Sequence, residues 1–136
     1  MSLFYCSRRV LNNYSLIHQV KRFFNVISKT DVQQFIDSER GDYILIDVRK
    51  PEEYSHGVIP TAKTLPLGEL PEALAMKEKD WEAKYNFKKI QPNDTIILYC
   101  RSGKRSDTAS QILEARGFKH ILNYEGSYID WFGKSY

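Results

Sequence analysis

Residues 95–106 read Thr-Ile-Ile-Leu-Tyr-Cys-Arg-Ser-Gly-Lys-Arg-Ser, an apolar run that ends on a cysteine followed by three cations and a glycine. Continuous apolar and β-branched residues are typical of a strand buried on both faces, as in a parallel sheet flanked by helices. Cys100 then lies at the carboxyl end of this strand. Ligands usually bind at that end of an open α/β sheet, so the stretch indicates both a fold class and a functional site.

The rest of the chain alternates strand and helix patterns around this run. Two further apolar runs, Tyr43–Val48 and Ile121–Tyr124, predict strands. The helical patterns include one that is capped by Ser28 and ends at Gly41, and one that begins at about Ser106, after the cysteine loop. This alternation predicts an α/β sandwich with a small, mostly parallel sheet of four to five strands and helices on both faces.

Length and charge exclude several classes of protein. The 136 residues suit one domain, and no apolar run approaches the roughly 18 to 20 residues of a membrane helix, so no membrane span is expected. The net charge of +3 is uneven, because residues 1–24 hold four cations and no acid. Residues 25–136 therefore carry sixteen cations against seventeen acids, which argues against a nucleic-acid-binding domain.

The first 24 residues differ in composition from the remainder. They contain arginine and serine, lack acids and are interleaved with apolar residues, which is typical of mitochondrial presequences. Arg22-Phe23-Phe24-Asn25 also resembles a cleavage context for the matrix peptidase. We therefore predict a presequence over residues 1–24, a domain over residues 25–136 and a location in the mitochondrial matrix. A disordered or membrane-touching basic tail is the alternative.

The cysteine loop has the features of an anion cradle built around a thiol. Gly103 permits a tight curve, so that successive backbone N–H groups can point inward, and the following helix directs its positive end to the same place. Such surroundings lower the pKa of a thiol from about 8.5 to roughly 3.5 to 7.5. Cys100 is therefore expected to be largely a thiolate near neutral pH.

Other chemistries of cysteine lack their partners in this sequence. The second cysteine, Cys6, lies in the predicted presequence, so a mature domain without it cannot form an internal disulfide. His56 and His120 are not part of a recognisable protease motif. One thiol and two histidines also do not make a spaced set of metal ligands, so neither a metal nor another cofactor is expected.

Four stretches, in order along the chain, resemble the motifs of single-domain rhodanese sulfurtransferases. Residues 100–106 resemble the active-site loop, and residues 47–54 resemble the Asp-x-Arg-x-Pro-x-Glu-Tyr segment of the family. Residues 57–62 resemble Gly-His-Ile-Pro-Gly-Ala, and residues 124–131 resemble the C-terminal Gly-Gly…Trp motif. The resemblance spans residues 43–131 and implies the three-layer rhodanese fold.

The resemblance also implies a reaction and a set of site residues. Cys100 attacks the outer sulfur of thiosulfate or a related persulfide, holds it as a persulfide and passes it to a thiol such as glutathione or thioredoxin, or to cyanide. Asp47 and Arg49 are assigned a supporting role, or a purely structural one as a buried pair. Donor binding is assigned to the residues that follow the cysteine, which are Arg101, Ser102, Gly103, Lys104, Arg105 and Ser106.

The sequence leaves two alternatives to this activity. Phosphatases and arsenate reductases of the same fold use a loop that is one residue longer, whereas here Arg105 is the fifth residue after Cys100 and Ser106 follows it. A non-catalytic module that binds a partner or relays sulfur is the second alternative. Departures from the family pattern lie outside the loop: His56 precedes the glycine, and Thr61 and Ser127 replace common glycines.

Overall fold

A computed structural model of the protein describes residues 25–39 and 41–136. The predicted presequence, and with it Cys6, lies outside these residues. Each helix or strand is short. The elements in chain order are β1 (Val26–Ile27), α1 (Lys29–Asp37), β2 (Ile44–Asp47), a 3-10 helix (Pro51–His56), β3 (Lys63–Thr64), a 3-10 turn (Leu67–Glu69), α2 (Leu70–Ala75), α3 (Glu78–Tyr85), β4 (Thr95–Tyr99), α4 (Lys104–Ala115), β5 (His120–Tyr124) and α5 (Ser127–Phe132).

The five strands form one sheet in the order β1-β5-β4-β2-β3, and every pair is parallel. β4, which leads to Cys100, is therefore the central strand. Its neighbours are β2 and β5, whose carboxyl ends lead to Asp47 and Tyr124. In a parallel sheet these ends share one edge, so the segments that follow all three strands meet around Cys100.

Side chains along β4 alternate between two apolar layers, as the pleat of a strand requires. Ile96 and Leu98 pack with α2, α3 and α4 on one face, whereas Ile97 and Tyr99 pack with α1 and α5 on the other. All four are at most 1% exposed, which agrees with a strand buried on both faces. The predicted α/β sandwich, with helices on both faces of a small parallel sheet, is confirmed.

Two predicted helix ends were wrong. α1 ends at Asp37 rather than at Gly41, because the backbone of Ser38 bonds back to the last turn and Glu39 takes the left-handed conformation with φ 51°. α4 begins at Lys104, two residues before Ser106, because the carbonyl of Gly103 already accepts the first helical bond from the N–H of Asp107. The predicted cap at Ser28 is confirmed by its reciprocal bonds with Asp31.

Candidate active site

Cys100 lies between the end of β4 and the start of α4 and is 1% exposed. Its thiol Sγ accepts a hydrogen bond from the backbone N–H of Gly103 at 3.1 Å and contacts the hydroxyl of Ser106 at 3.6 Å. The backbone N–H groups of Ser102 and Ser106 also face the sulfur. The predicted cradle of N–H groups around the thiol is therefore present.

The pKa of Cys100 is lower than that of an ordinary thiol. Burial is the largest single effect and opposes ionisation, but the hydroxyl of Ser106 and the backbone N–H groups of Ser106, Gly103 and Ser102 together outweigh it. Hydrogen bonds to the charged form of a group favour that form, so these contacts stabilise a negative sulfur. The geometry of the loop thus favours the thiolate form of Cys100 over that of an ordinary thiol.

Gly103 is required by two features of the loop. Its φ is +93°, a conformation that side-chain-bearing residues rarely adopt, and a Cβ at this position would lie 2.3 Å from the carbonyl oxygen of Glu125. The loop is also tied to the start of α5, since the N–H groups of Tyr128 and Ile129 donate to the carbonyls of residues 100 and 101. The segment after β5 therefore fixes the curvature of the cysteine loop.

Ser127, noted in the sequence only as a replacement for glycine, contacts the cysteine loop directly. Its hydroxyl accepts a hydrogen bond from the backbone N–H of Cys100 at 3.1 Å and donates to the carbonyl of Tyr124 at 2.7 Å. Its φ of +57° is left-handed, which explains why glycine suits this position. Here the hydroxyl accepts the bond of the buried Cys100 N–H, which would need a different acceptor if residue 127 were glycine.

Asp47 and Arg49 form an ion pair with fully buried side chains, with 2.7 Å between Arg49 Nη2 and Asp47 Oδ2. All five N–H groups of Arg49 have acceptors: Nε binds Asp47, Nη1 binds the carbonyl of Glu53 and the hydroxyl of Tyr136, and Nη2 binds Asp47 and the carbonyl of Gly57. Burial opposes the charge, but the bonds to Asp47 and Tyr136 raise the pKa of Arg49. Arg49 therefore has no N–H group left for a substrate oxygen.

Arg105, predicted to bind the donor, is held by Glu53. Its two terminal nitrogens donate to the two carboxylate oxygens at 2.6 and 2.9 Å, a bidentate ion pair between residues 52 positions apart in the chain. The bonds from Arg105 lower the pKa of Glu53 to about 2 against the effect of burial. The pair fixes the direction of the Arg105 guanidinium beside the thiol, and two of its five N–H groups are used in doing so.

The remaining loop residues differ in their exposure. Arg101 is partly buried, and its Nη2 donates to the hydroxyl of Ser135 and, at 2.8 Å, to the carbonyl of Tyr136. Ser102 and Lys104 are exposed at the rim. The structure thus brings the predicted loop residues together around Cys100, and adds Glu53, Ser127 and Tyr136, which sequence reasoning did not assign to the site.

The sequence signals that pointed to these three residues differ. Glu53 belongs to the Asp-x-Arg-x-Pro-x-Glu-Tyr segment, so its pairing could have been suspected from the motif. Ser127 was visible as a departure from the pattern. Tyr136 lies beyond every quoted motif, and no signal in the sequence indicated it.

Comparisons with known proteins agree with this geometry. Residues 28–134 match the family model of the rhodanese-like domain. The chain belongs to the rhodanese-like family. The human single-domain sulfurtransferase TSTD1 has the same fold, with a TM-score of 0.75 and 32% sequence identity over 82% of this chain and 98% of that one. The predicted family is therefore confirmed.

Two yeast relatives are similar to this rhodanese domain in sequence. A Schizosaccharomyces pombe protein, provisionally named a mitochondrial thiosulfate sulfurtransferase, is 44% identical over 67% of this chain and 64% of its own length. The match thus spans just under two thirds of that relative. A thiosulfate:glutathione sulfurtransferase of Saccharomyces cerevisiae is 30% identical over 83% of each chain.

Within the described residues, no helix is long and apolar enough to cross a membrane. The same part of the chain contains no group of three or more His, Cys, Asp or Glu residues that could hold a metal ion.

Proposed function

We propose that this protein transfers the outer sulfur of thiosulfate to a thiol acceptor through a persulfide on Cys100. The observation that carries the proposal is the environment of the Cys100 sulfur, which is buried, surrounded by N–H donors and has a lowered pKa. A thiol with a lowered pKa at the carboxyl end of the central strand is suited to act as the nucleophile that such a transfer requires.

In the first half-reaction the Cys100 thiolate attacks the outer sulfur of thiosulfate. A sulfur–sulfur bond forms to Cys100, the sulfur–sulfur bond of thiosulfate breaks, and sulfite leaves with the bonding electron pair. The product is a cysteine persulfide anion. The N–H groups that stabilise the thiolate are positioned to stabilise the persulfide anion as well, because the negative charge of both anions lies within the same loop.

In the second half-reaction a thiolate attacks the outer sulfur of the persulfide. The new bond produces a persulfide on the acceptor, and the electron pair of the broken bond returns to Cys100. Glutathione is supported as the acceptor by two relatives named thiosulfate:glutathione sulfurtransferase, from Saccharomyces cerevisiae and from human. Thioredoxin is the second acceptor to be compared.

The donor site combines Arg101, Lys104 and Arg105 with the polar groups of Ser102, Gly103 and Ser106. Asp47, Arg49 and Glu53 lie beneath this cradle, and Glu53 fixes the direction of Arg105. The buried Asp47 and Arg49 neutralise each other, so the three loop cations are opposed by one carboxylate, that of Glu53. This excess of positive charge favours a small dianion such as thiosulfate over a neutral donor.

The experiment that tests the proposal measures thiosulfate turnover with cyanide, glutathione and thioredoxin as acceptors. Cys100→Ser should abolish turnover, whereas Cys6→Ser, the matched control, should leave it unchanged. Thiosulfate alone should add one sulfur atom to Cys100, as detected by mass spectrometry of the intact protein. Turnover by Cys100→Ser would overturn the mechanism, and a wild-type protein that takes up no sulfur would favour a binding module.

The proposed location is the mitochondrial matrix. It rests on the basic, acid-free composition of residues 1–24 and on relatives named as mitochondrial in Schizosaccharomyces pombe and Saccharomyces cerevisiae. Residues 1–28 fused to a fluorescent reporter should direct it to mitochondria, and replacement of the four cations of residues 1–24 by glutamine should prevent this. Diffuse fluorescence from the unaltered fusion would contradict the proposal.

A further inference from the structure

Tyr136 contacts the cysteine loop at Arg101 and also contacts the carboxylate that holds Arg105. Its hydroxyl donates to Glu53 Oε1 at 2.9 Å and accepts from Arg49 Nη1 at 3.0 Å. Its carbonyl accepts from Arg101 Nη2 at 2.8 Å. One residue outside the family motifs therefore joins the first cation of the loop to the carboxylate that holds Arg105.

The ring of Tyr136 is fixed by further contacts. It stacks on His56 with 4.0 Å between ring centroids and an interplanar angle of 4°, and it meets the ring of Tyr128 edge-on at 4.8 Å. The guanidinium of Arg101 lies over its face, 5.3 Å from the centroid. Such a cation–π contact, added to the bond to the carbonyl, restricts the long side chain of Arg101 to one direction.

We propose that Tyr136 is a positioning residue for the anionic sulfur donor, acting through Arg101 and Arg105. The proposal rests on the proposed function and adds to it the residue that orients the two guanidinium groups. Tyr136 does not touch the reacting sulfur. It holds Arg101 by its ring and carbonyl, and it supports Arg105 through the hydroxyl bond to Glu53.

The physical reason is the cost of ordering two long cationic side chains. A free arginine loses rotamer freedom when it binds an anion, and that loss weakens binding. Contacts that hold the guanidinium in place beforehand remove this cost from the binding step. A neutral ligand gains little from the same arrangement, so the effect of Tyr136 should depend on the charge of the molecule that approaches Cys100.

The experiment compares Tyr136→Phe, Tyr136→Ala and Tyr85→Phe in the full chain. Tyr136→Phe removes only the hydroxyl, and Tyr136→Ala also removes the ring. Tyr85→Phe is the matched control, because its hydroxyl likewise donates to a carboxylate, Glu69, at 2.9 Å but lies in α3, outside the site. Each variant also carries Cys6→Ser, so that Cys100 is the only thiol.

The first measurement is the rate at which Cys100 is alkylated by iodoacetate, an anion, relative to iodoacetamide, its neutral analogue. This ratio should fall about fivefold in Tyr136→Ala and about twofold in Tyr136→Phe, the range expected for partly exposed charged contacts, and stay unchanged in Tyr85→Phe. In turnover, the KM for thiosulfate should rise by similar factors while kcat and the KM for the acceptor stay within about twofold.

An unchanged alkylation ratio in both Tyr136 variants would overturn the inference. So would equal losses toward both reagents accompanied by a lower melting temperature, since these indicate a structural role alone. The alkylation measurement does not depend on sulfur transfer. A wild-type protein with the expected ratio but no thiosulfate turnover would contradict the proposed function and leave the positioning role supported.

Discussion

Replacement of Glu53 by glutamine removes the charge that pairs with Arg105 and preserves the shape of the side chain. The carboxylate accepts two bonds from Arg105, one from the hydroxyl of Tyr136 and one from the backbone N–H of Lys50. A glutamine amide has only one accepting oxygen. Glu53→Gln should therefore destabilise the protein, and should do so less at acid pH, where the carboxylate of the unfolded wild type takes up a proton.

The magnitude follows from the pKa of Glu53, which falls from an ordinary 4.5 to about 2. At about 1.4 kcal/mol for each pKa unit, the charged form contributes at most about 3.5 kcal/mol to the free energy of unfolding. The Arg105 side chain is 31% exposed, so screening by solvent reduces this to about 2 kcal/mol. Because the folded pKa is lower than the unfolded one, the contribution is complete above pH 4.5 and is lost as the pH falls toward 2.

The assay is urea unfolding of the wild type and Glu53→Gln at about pH 7 and about pH 3.5. The difference in unfolding free energy should be about 2 kcal/mol at the higher pH and narrow by roughly a third to a half at the lower one. Glu69→Gln is the control, because its pair with Lys84 is exposed and should contribute less than about 1 kcal/mol. The reasoning would be refuted if the loss of unfolding free energy in Glu53→Gln did not change with pH, or if it equalled the loss in Glu69→Gln.

Three further changes test the loop and its support. Ser127→Ala keeps a side chain in the left-handed conformation but loses the hydroxyl, whereas Ser127→Gly relieves the backbone strain. Urea unfolding should therefore find the alanine variant about 1 to 2 kcal/mol less stable than the glycine variant. The reverse order of stability would contradict backbone strain at residue 127. Gly103→Ala places a Cβ against Glu125 and should cost at least about 2 kcal/mol together with most of the thiosulfate turnover. Ser106→Ala removes a bond that lowers the pKa of Cys100, so the pH midpoint of iodoacetamide alkylation should rise; an unchanged midpoint would exclude that contribution.

Parts of the fold and site that depend on short stretches of chain could be predicted. The apolar run of β4 and the cap at Ser28 involve neighbours in sequence, and both were confirmed. The predicted end of α1 at Gly41 was wrong by a few residues, since Glu39 already adopts the left-handed conformation. Several neighbouring residues can adopt the conformation that ends a helix, and the sequence alone does not show which of them does.

The sequence by itself determined that a thiol, a glycine and a helix start come together in one loop, because the three lie within seven residues. Only the tertiary structure decided which groups orient the cations. The strand order places β2 and β5 on either side of β4, and this brings Glu53 to Arg105 and Ser127 to Cys100. Tyr136 joins them from a separate segment. Such contacts depend on which strand ends lie side by side, and residue spacing along the chain does not encode that adjacency.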